Sequence, residues 1–113
     1  MIDKENMRVR SIWDELELGL GAGKRFRVLV HLILNPNKAF TKYALAKATG
    51  LRTPSIEEYL EILVKLGWVK ENEFKPKTYQ INPENDIIKI LLDFFKRMLN
   101  SQRFKAAQPP PPT

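Results

Sequence analysis

Cysteine is absent from this chain of 113 residues, which removes disulfides and thiolate metal sites from consideration. Histidine occurs once, as His31. With no carboxylate pair, Ser/His/Asp set or ligand cluster around it, a lone histidine in an otherwise apolar stretch reads as a core or edge residue. The expectation is a protein that is not an enzyme and carries no cofactor. No apolar run approaches the ~18 residues needed to cross a bilayer. The opening "MIDKENMRVR" has no apolar centre and does not read as a secretory signal. A soluble, cytoplasmic protein without a membrane partner is expected. Acidic residues are outnumbered: 13 Asp and Glu face 19 Lys and Arg, for a formal charge of +6. That excess makes nucleic acid or another anionic surface a plausible partner and says nothing about fold.

What is present is helical periodicity with sharp stops. "SIWDELEL" offers Ser11 as an N-cap and places Ile12, Trp13 and Leu16 on one face. "GLGAG" ends that short helix. The Gly-x-Gly in "GLGAGK" lacks the lysine-hydroxyl ending and the preceding strand of a phosphate loop, so a helix break is the reading. In "KRFRVLVHLILNPN", Phe26, Leu29, Val30 and Ile33 recur as a buried stripe, and Asn35-Pro36 stops the helix. Ala39-Phe40 can form a one-rung strand. Thr41 caps a helix with Leu45 and Ala46 inside, Gly50 sits past its end, and Leu51 drops into the core. "TPSIEEYLEILVKLG" has Thr53 at the cap, Pro54 at the first helical position, and Ile56, Leu60 and Leu63 at helical spacing before Gly67.

"WVKENEFKPKTYQIN" reads as a hairpin, with one strand starting at Trp68-Val69, another over Thr78 to Ile81, and a charged turn between them. The last helix carries two apolar stripes, Ile87, Leu91, Phe94 and Met98 beside Ile88, Phe95 and Leu99. A helix at the edge of a domain needs one stripe for its own body, so the doubled face predicts a homodimer, with Ile87, Leu91, Phe94, Phe95 and Met98 at its interface. "AAQPPPPT" reads as a disordered, polyproline-like tail. The fold class is mainly α with a small β-hairpin.

This order of elements resembles the winged helix-turn-helix domain of bacterial and archaeal regulators such as the MarR, ArsR and PadR families, over roughly Lys24 to Glu84. "TKYALAKATGLRTPSIEEYLEIL" looks like their helix-turn-helix, and "LVKLGWVKE" like their passage from recognition helix to wing. "KTYQINPEN" looks like the end of their wing, with Asn82 in place of the usual threonine and Asn85 where glycine often stands. With the resemblance, the chain divides into an arm with a short helix over 1–22, a winged helix-turn-helix domain over 23–83 and a long C-terminal dimerisation helix over 84–105, and composition adds a proline-rich tail over 106–113. It also implies a dimeric regulator of transcription that binds double-stranded DNA, with Lys42, Arg52, Thr53, Ser55 and Glu58 near the major groove and Lys70, Lys75 and Lys77 on the wing.

One departure stands out. Glu57, Glu58 and Glu61 fall where these families usually carry neutral or basic residues. Carboxylates near phosphates cost roughly 1 kcal/mol each at short range near a surface, so any gain must come as selectivity. Glutamate can accept from cytosine N4. Alternatively these glutamates sit on a solvated face and pair at helical spacing, as Glu61 can with Lys65. Lys24, Arg25 and Arg27 add positive charge at the start of their helix, and Lys38 and Lys47 add more around the next. Two other readings stay open: a winged-helix module whose acidic helix docks on a basic protein, and a chromatin or replication accessory that binds DNA without sequence preference.

Overall fold

A computed structural model describes residues 11–101; the proline-rich tail, residues 102–105 and the first ten residues lie outside the described part. It is a mostly helical domain with one two-stranded antiparallel hairpin. The order is α1 (Ile12–Leu20), α2 (Phe26–Leu34), α3 (Lys42–Thr49), α4 (Thr53–Lys65), β1 (Val69–Asn72), β2 (Thr78–Ile81) and α5 (Asp86–Leu99). Among the described residues no helix is long and apolar enough to cross a membrane.

Local chemistry sets most of these boundaries. The Ser11 hydroxyl accepts from the Asp14 amide, and the Thr41 hydroxyl from the Ala44 amide, each satisfying a donor that the first helical turn leaves open. Gly50 ends α3 in the left-handed region at φ 76°, where a side chain would be strained, and its amide bonds the Ala46 carbonyl at 2.9 Å. α4 begins one residue earlier than expected, at Thr53 itself. Arg52 holds the extended cap conformation, Thr53 is already helical and Pro54 occupies the second position. The Arg52 carbonyl accepts from the Ser55 and Ile56 amides, and no side chain caps this end.

α2 lies at the centre. It packs on α1, α3, α5 and β2, so more than its expected stripe is inside. Val28 and Leu32, outside that stripe, are fully buried, while Phe26 is only half-buried. With them Leu45, Ile56, Leu60, Leu63, Ile81 and Ile88 complete the most enclosed part of the core. Among the described residues no charged or polar residue is buried, so nothing in the core needs an internal partner.

The hairpin pairs Val69 with Ile81 at its base and Asn72 with Thr78 at its outer end. β1 starts one residue later than expected and runs on into the charged segment, leaving 73–77 as the tip. Trp68 still joins the frame: its amide bonds the Leu63 carbonyl, and its carbonyl accepts from Asn82. Phe40 forms the expected one-rung strand. It exchanges two hydrogen bonds with Tyr79, at 2.8 and 2.7 Å.

α5 starts at Asp86 and ends at Leu99, with Asn100 as its C-cap. Its N-cap is Asn85, whose side-chain oxygen accepts from the Ile87 and Ile88 amides at 2.9 and 3.1 Å. Asn85→Ala should therefore cost about 1 kcal/mol. A chemical melt compared with wild type measures it, and an unchanged midpoint would remove the cap from this account.

Candidate nucleic-acid interface

The surface in question is built by the start of α3, the exposed face of α4 and the hairpin. α4 buries Ile56, Leu60 and Leu63 and turns Glu57, Glu58 and Glu61 to solvent. Each of these carboxylates meets a cation. Glu61 pairs with Lys65 one turn on, at 3.3 Å, the pairing that helical spacing suggested. Glu58 is met at 3.1 Å by Arg25, which lies just before α2 and also donates to the Ser55 hydroxyl at 3.4 Å. Glu57 is held by Lys42 from the first turn of α3. That hydrogen bond raises the Lys42 ammonium above its ordinary pKa. Lys42 also stands 5.3 Å from the centre of the Tyr43 ring.

Between this face and the hairpin lies an open cleft of about 510 Å³, lined by Lys42, Glu57, Glu61, Lys65, Glu71 and Lys77 among others. Three lysines and three glutamates face it, and the Lys77 ammonium stands 3.7 Å from Glu71. Tyr79 closes the inner wall. Burial first, and then the Glu71 carboxylate, push its hydroxyl above the ordinary tyrosine range.

The residues marked from sequence thus divide. Lys42 and Ser55 are already engaged, by Glu57 and by Arg25. Glu58 and Lys77 are paired. Thr53 is half-buried in the first turn of α4. Arg52, Lys70 and Lys75 are exposed and form no ion pair with any described residue, Arg52 at the start of α4 and the two lysines on the hairpin. Arg25 was legible only as one basic residue among several, because the chain separates it from its partner Glu58. Phe74, at the hairpin tip, is exposed.

The stripes of α5 divide as well. Ile88 and Phe95 are buried in the domain's own core, and Leu91 packs against that core. Phe95 lies 4.9 Å from the Trp13 ring and 6.3 Å from Phe26. This corrects its assignment to an interface: the arm helix α1 reaches back and covers it. Ile87 and Phe94 remain exposed, and Met98 is half-buried.

His31 is half-buried against Phe40, with ring centres 4.8 Å apart, and lines a separate open cleft of about 560 Å³ between α1, α2 and the end of α3. Across that cleft Arg27 holds Glu17 with two hydrogen bonds, at 3.0 and 3.4 Å. Among the described residues no group of His, Asp or Glu side chains could hold a metal ion. No family model, curated protein or solved structure matches the chain.

Proposed function

We propose that this protein is a dimeric, DNA-binding regulator of transcription with a winged helix-turn-helix domain. It is not an enzyme and works in the cytoplasm. In this reading α3 and α4 are the helix-turn-helix, joined through the left-handed Gly50, and the hairpin is the wing. The observation that carries it is the distribution of charge after pairing. The glutamates of α4 are each met by a neighbouring cation, while Arg52, Lys70 and Lys75 stand exposed without an ion-pair partner among the described residues. These flank α4 at its start and beyond its end, where a duplex seated on α4 would bring its phosphates. Arg52, Thr53 and Ser55 approach base edges from the N-terminal end of α4, and Glu58 contributes selectivity rather than affinity.

The pairing also removes an objection. A helix with bare carboxylates would repel a phosphate chain, but a face whose carboxylates are each matched by a cation is close to neutral. Binding then requires exchange: Lys42 and Arg25 leave a carboxylate as they take up a phosphate. Such a surface gains little from non-specific attraction and depends on the unpaired cations.

Titration of the full chain against random duplex and against duplexes selected from a random pool, at two salt concentrations, tests this. Preference for selected sequence supports the regulator. Equal binding to both supports a non-specific accessory. Absence of binding supports the protein-docking reading, which the exposed carboxylates of Glu58 and Glu61 favour. Within the same assay, Lys75→Ala with Lys77→Ala should weaken all duplexes about equally and lower the salt slope by roughly one per lost phosphate contact. Lys77 should contribute the smaller share, because Glu71 competes for it. Unchanged binding by the double variant would take the wing out of the interface.

A further inference from the structure

α5 has two apolar faces side by side. One is inside the domain, through Ile88 and Phe95. Beside it, Ile87 is 46% exposed, Ile90 65% and Phe94 38%, with Leu91 and Met98 half-buried along the boundary. Positions 87, 91, 94 and 98 follow the four-three-four spacing of a coiled-coil seam. Isolated exposed apolar residues are ordinary, but a continuous strip along one helix calls for a partner.

Charge says which partner fits and in which direction. Glu84 and Asp86 stand at the start of α5, and Lys96 and Arg97 in its last turn. Along the outer edge of the strip run Asp86, Ile90, Asp93 and Arg97; the inner edge is Ile88 and Phe95, already inside the domain. In a parallel helix pair like charges meet at each end. In an antiparallel pair outer edge faces outer edge, acidic end faces basic end, and the helix dipoles oppose favourably. A two-fold axis then makes the contact self-complementary.

We infer that the occupant of this strip is α5 of a second copy, laid antiparallel. Ile87 packs on Met98 of the second copy and Leu91 on its Phe94, about an axis between positions 91 and 94. Asp86 faces Arg97 of the second copy. Arg97 holds Asp93 of its own helix at 2.9 Å. Its five N–H donors leave capacity for a second carboxylate, and the Asp93 carboxylates, which lie near the axis, stay neutralised. This deepens the dimeric part of the proposed function and is independent of DNA.

The test uses charge reversal and cross-linking. In sedimentation of the full chain at micromolar concentration, a dimer is expected. Asp86→Arg and Arg97→Asp should each raise the dissociation constant on the order of tenfold at low salt, and the two reversals combined in one chain should restore most of it. For direction, the lack of cysteine in the chain is an advantage. Ile87→Cys mixed with Met98→Cys should form a disulfide under mild oxidation, while neither alone should. In the antiparallel pair identical positions near the helix ends lie roughly 16 Å apart, from 1.5 Å of rise per residue, and a disulfide needs Cα atoms within about 7 Å. Self-linking by either single variant means a parallel pair and overturns the inference while leaving the dimer. A dimer in which no combination links places the interface elsewhere and also overturns it. A monomer at micromolar concentration overturns both the inference and the dimeric part of the proposed function, while DNA titration judges the remainder separately.

Discussion

Phe95→Ala should destabilise the domain by about 3–5 kcal/mol, the usual cost of emptying a phenylalanine site in a core. Phe95 is 3% exposed and holds three elements together: it lies on α5, stacks on Trp13 of α1 and meets the edge of Phe26 on α2. Its loss removes the contact by which the arm helix is fastened to the C-terminal helix. The neighbouring Phe94 should behave otherwise. Its ring centre lies 5.9 Å from that of Phe95, but Phe94 keeps 38% of its surface exposed, so Phe94→Ser should act in good part through association. Denaturation at several protein concentrations separates the two. Phe95→Ala should lower the midpoint at every concentration, whereas the deficit of Phe94→Ser should shrink as dilution removes the dimer from wild type as well. Equal, concentration-independent losses in both variants would mean that Phe94 belongs to the core and that the exposed strip is not an interface.

Replacing Glu57, Glu58 and Glu61 together by glutamine should tighten binding to random duplex on the order of tenfold at low salt, with the gain shrinking as salt is added. Removing the carboxylates takes three negative charges from the α4 face and releases Lys42, Arg25 and Lys65. These are exposed pairs, so the fold should lose little: about 0–1 kcal/mol for each pair. Preference for a selected site should fall at the same time, because repulsion of unsuitable sequences is what the carboxylates supply. A gel-shift series of the triple variant against wild type, on selected and random duplex, reads both quantities. If neither affinity nor preference changes, α4 does not approach DNA. If binding to a basic partner protein falls instead, the acidic helix docks on protein.

How much of this was legible in the sequence follows from the reach of each interaction. Ser11, Thr41, Gly50 and Gly67 announce their helix ends because a cap is made within a few residues of itself, and all four ends stand where they were expected. The Glu61–Lys65 pair was legible for the same reason, being one helical turn long. Lys42–Glu57 and Arg25–Glu58 were not. Each joins two helices, and which cation meets which carboxylate depends on how the helices cross. The consequence for the candidate site is direct. Lys42 and Ser55, expected near the groove, receive partners from the packing of the helices. Periodicity had a similar limit on α5. It showed two adjacent apolar stripes and could not say which one the arm would cover, so Phe94 and Phe95 were assigned together and the structure separates them. On α2 the expected stripe omitted Val28 and Leu32, because a helix covered from several sides has no single inward face.

The rung between Phe40 and Tyr79 has a mechanical meaning. A hairpin joined to its domain only through its two ends would swing at the base. Here β2 is fastened at mid-length by two short hydrogen bonds to Phe40, and Gln80 grips the Pro36 carbonyl at 3.0 Å. The fulcrum therefore lies part-way along the hairpin, and only the outer portion, from Asn72 to Thr78, is a free lever arm. A force applied at Phe74 or Lys75 swings this outer arm about the fulcrum rather than the whole hairpin about its base. It passes through Tyr79 and Gln80 into the segment 36–40, which feeds directly into the first turn of α3 and so into Lys42. The inner half of the hairpin, through Tyr79 and Gln80, is tied to the segment that leads into α3, so a partner that grips the hairpin is linked to α3 through these bonds.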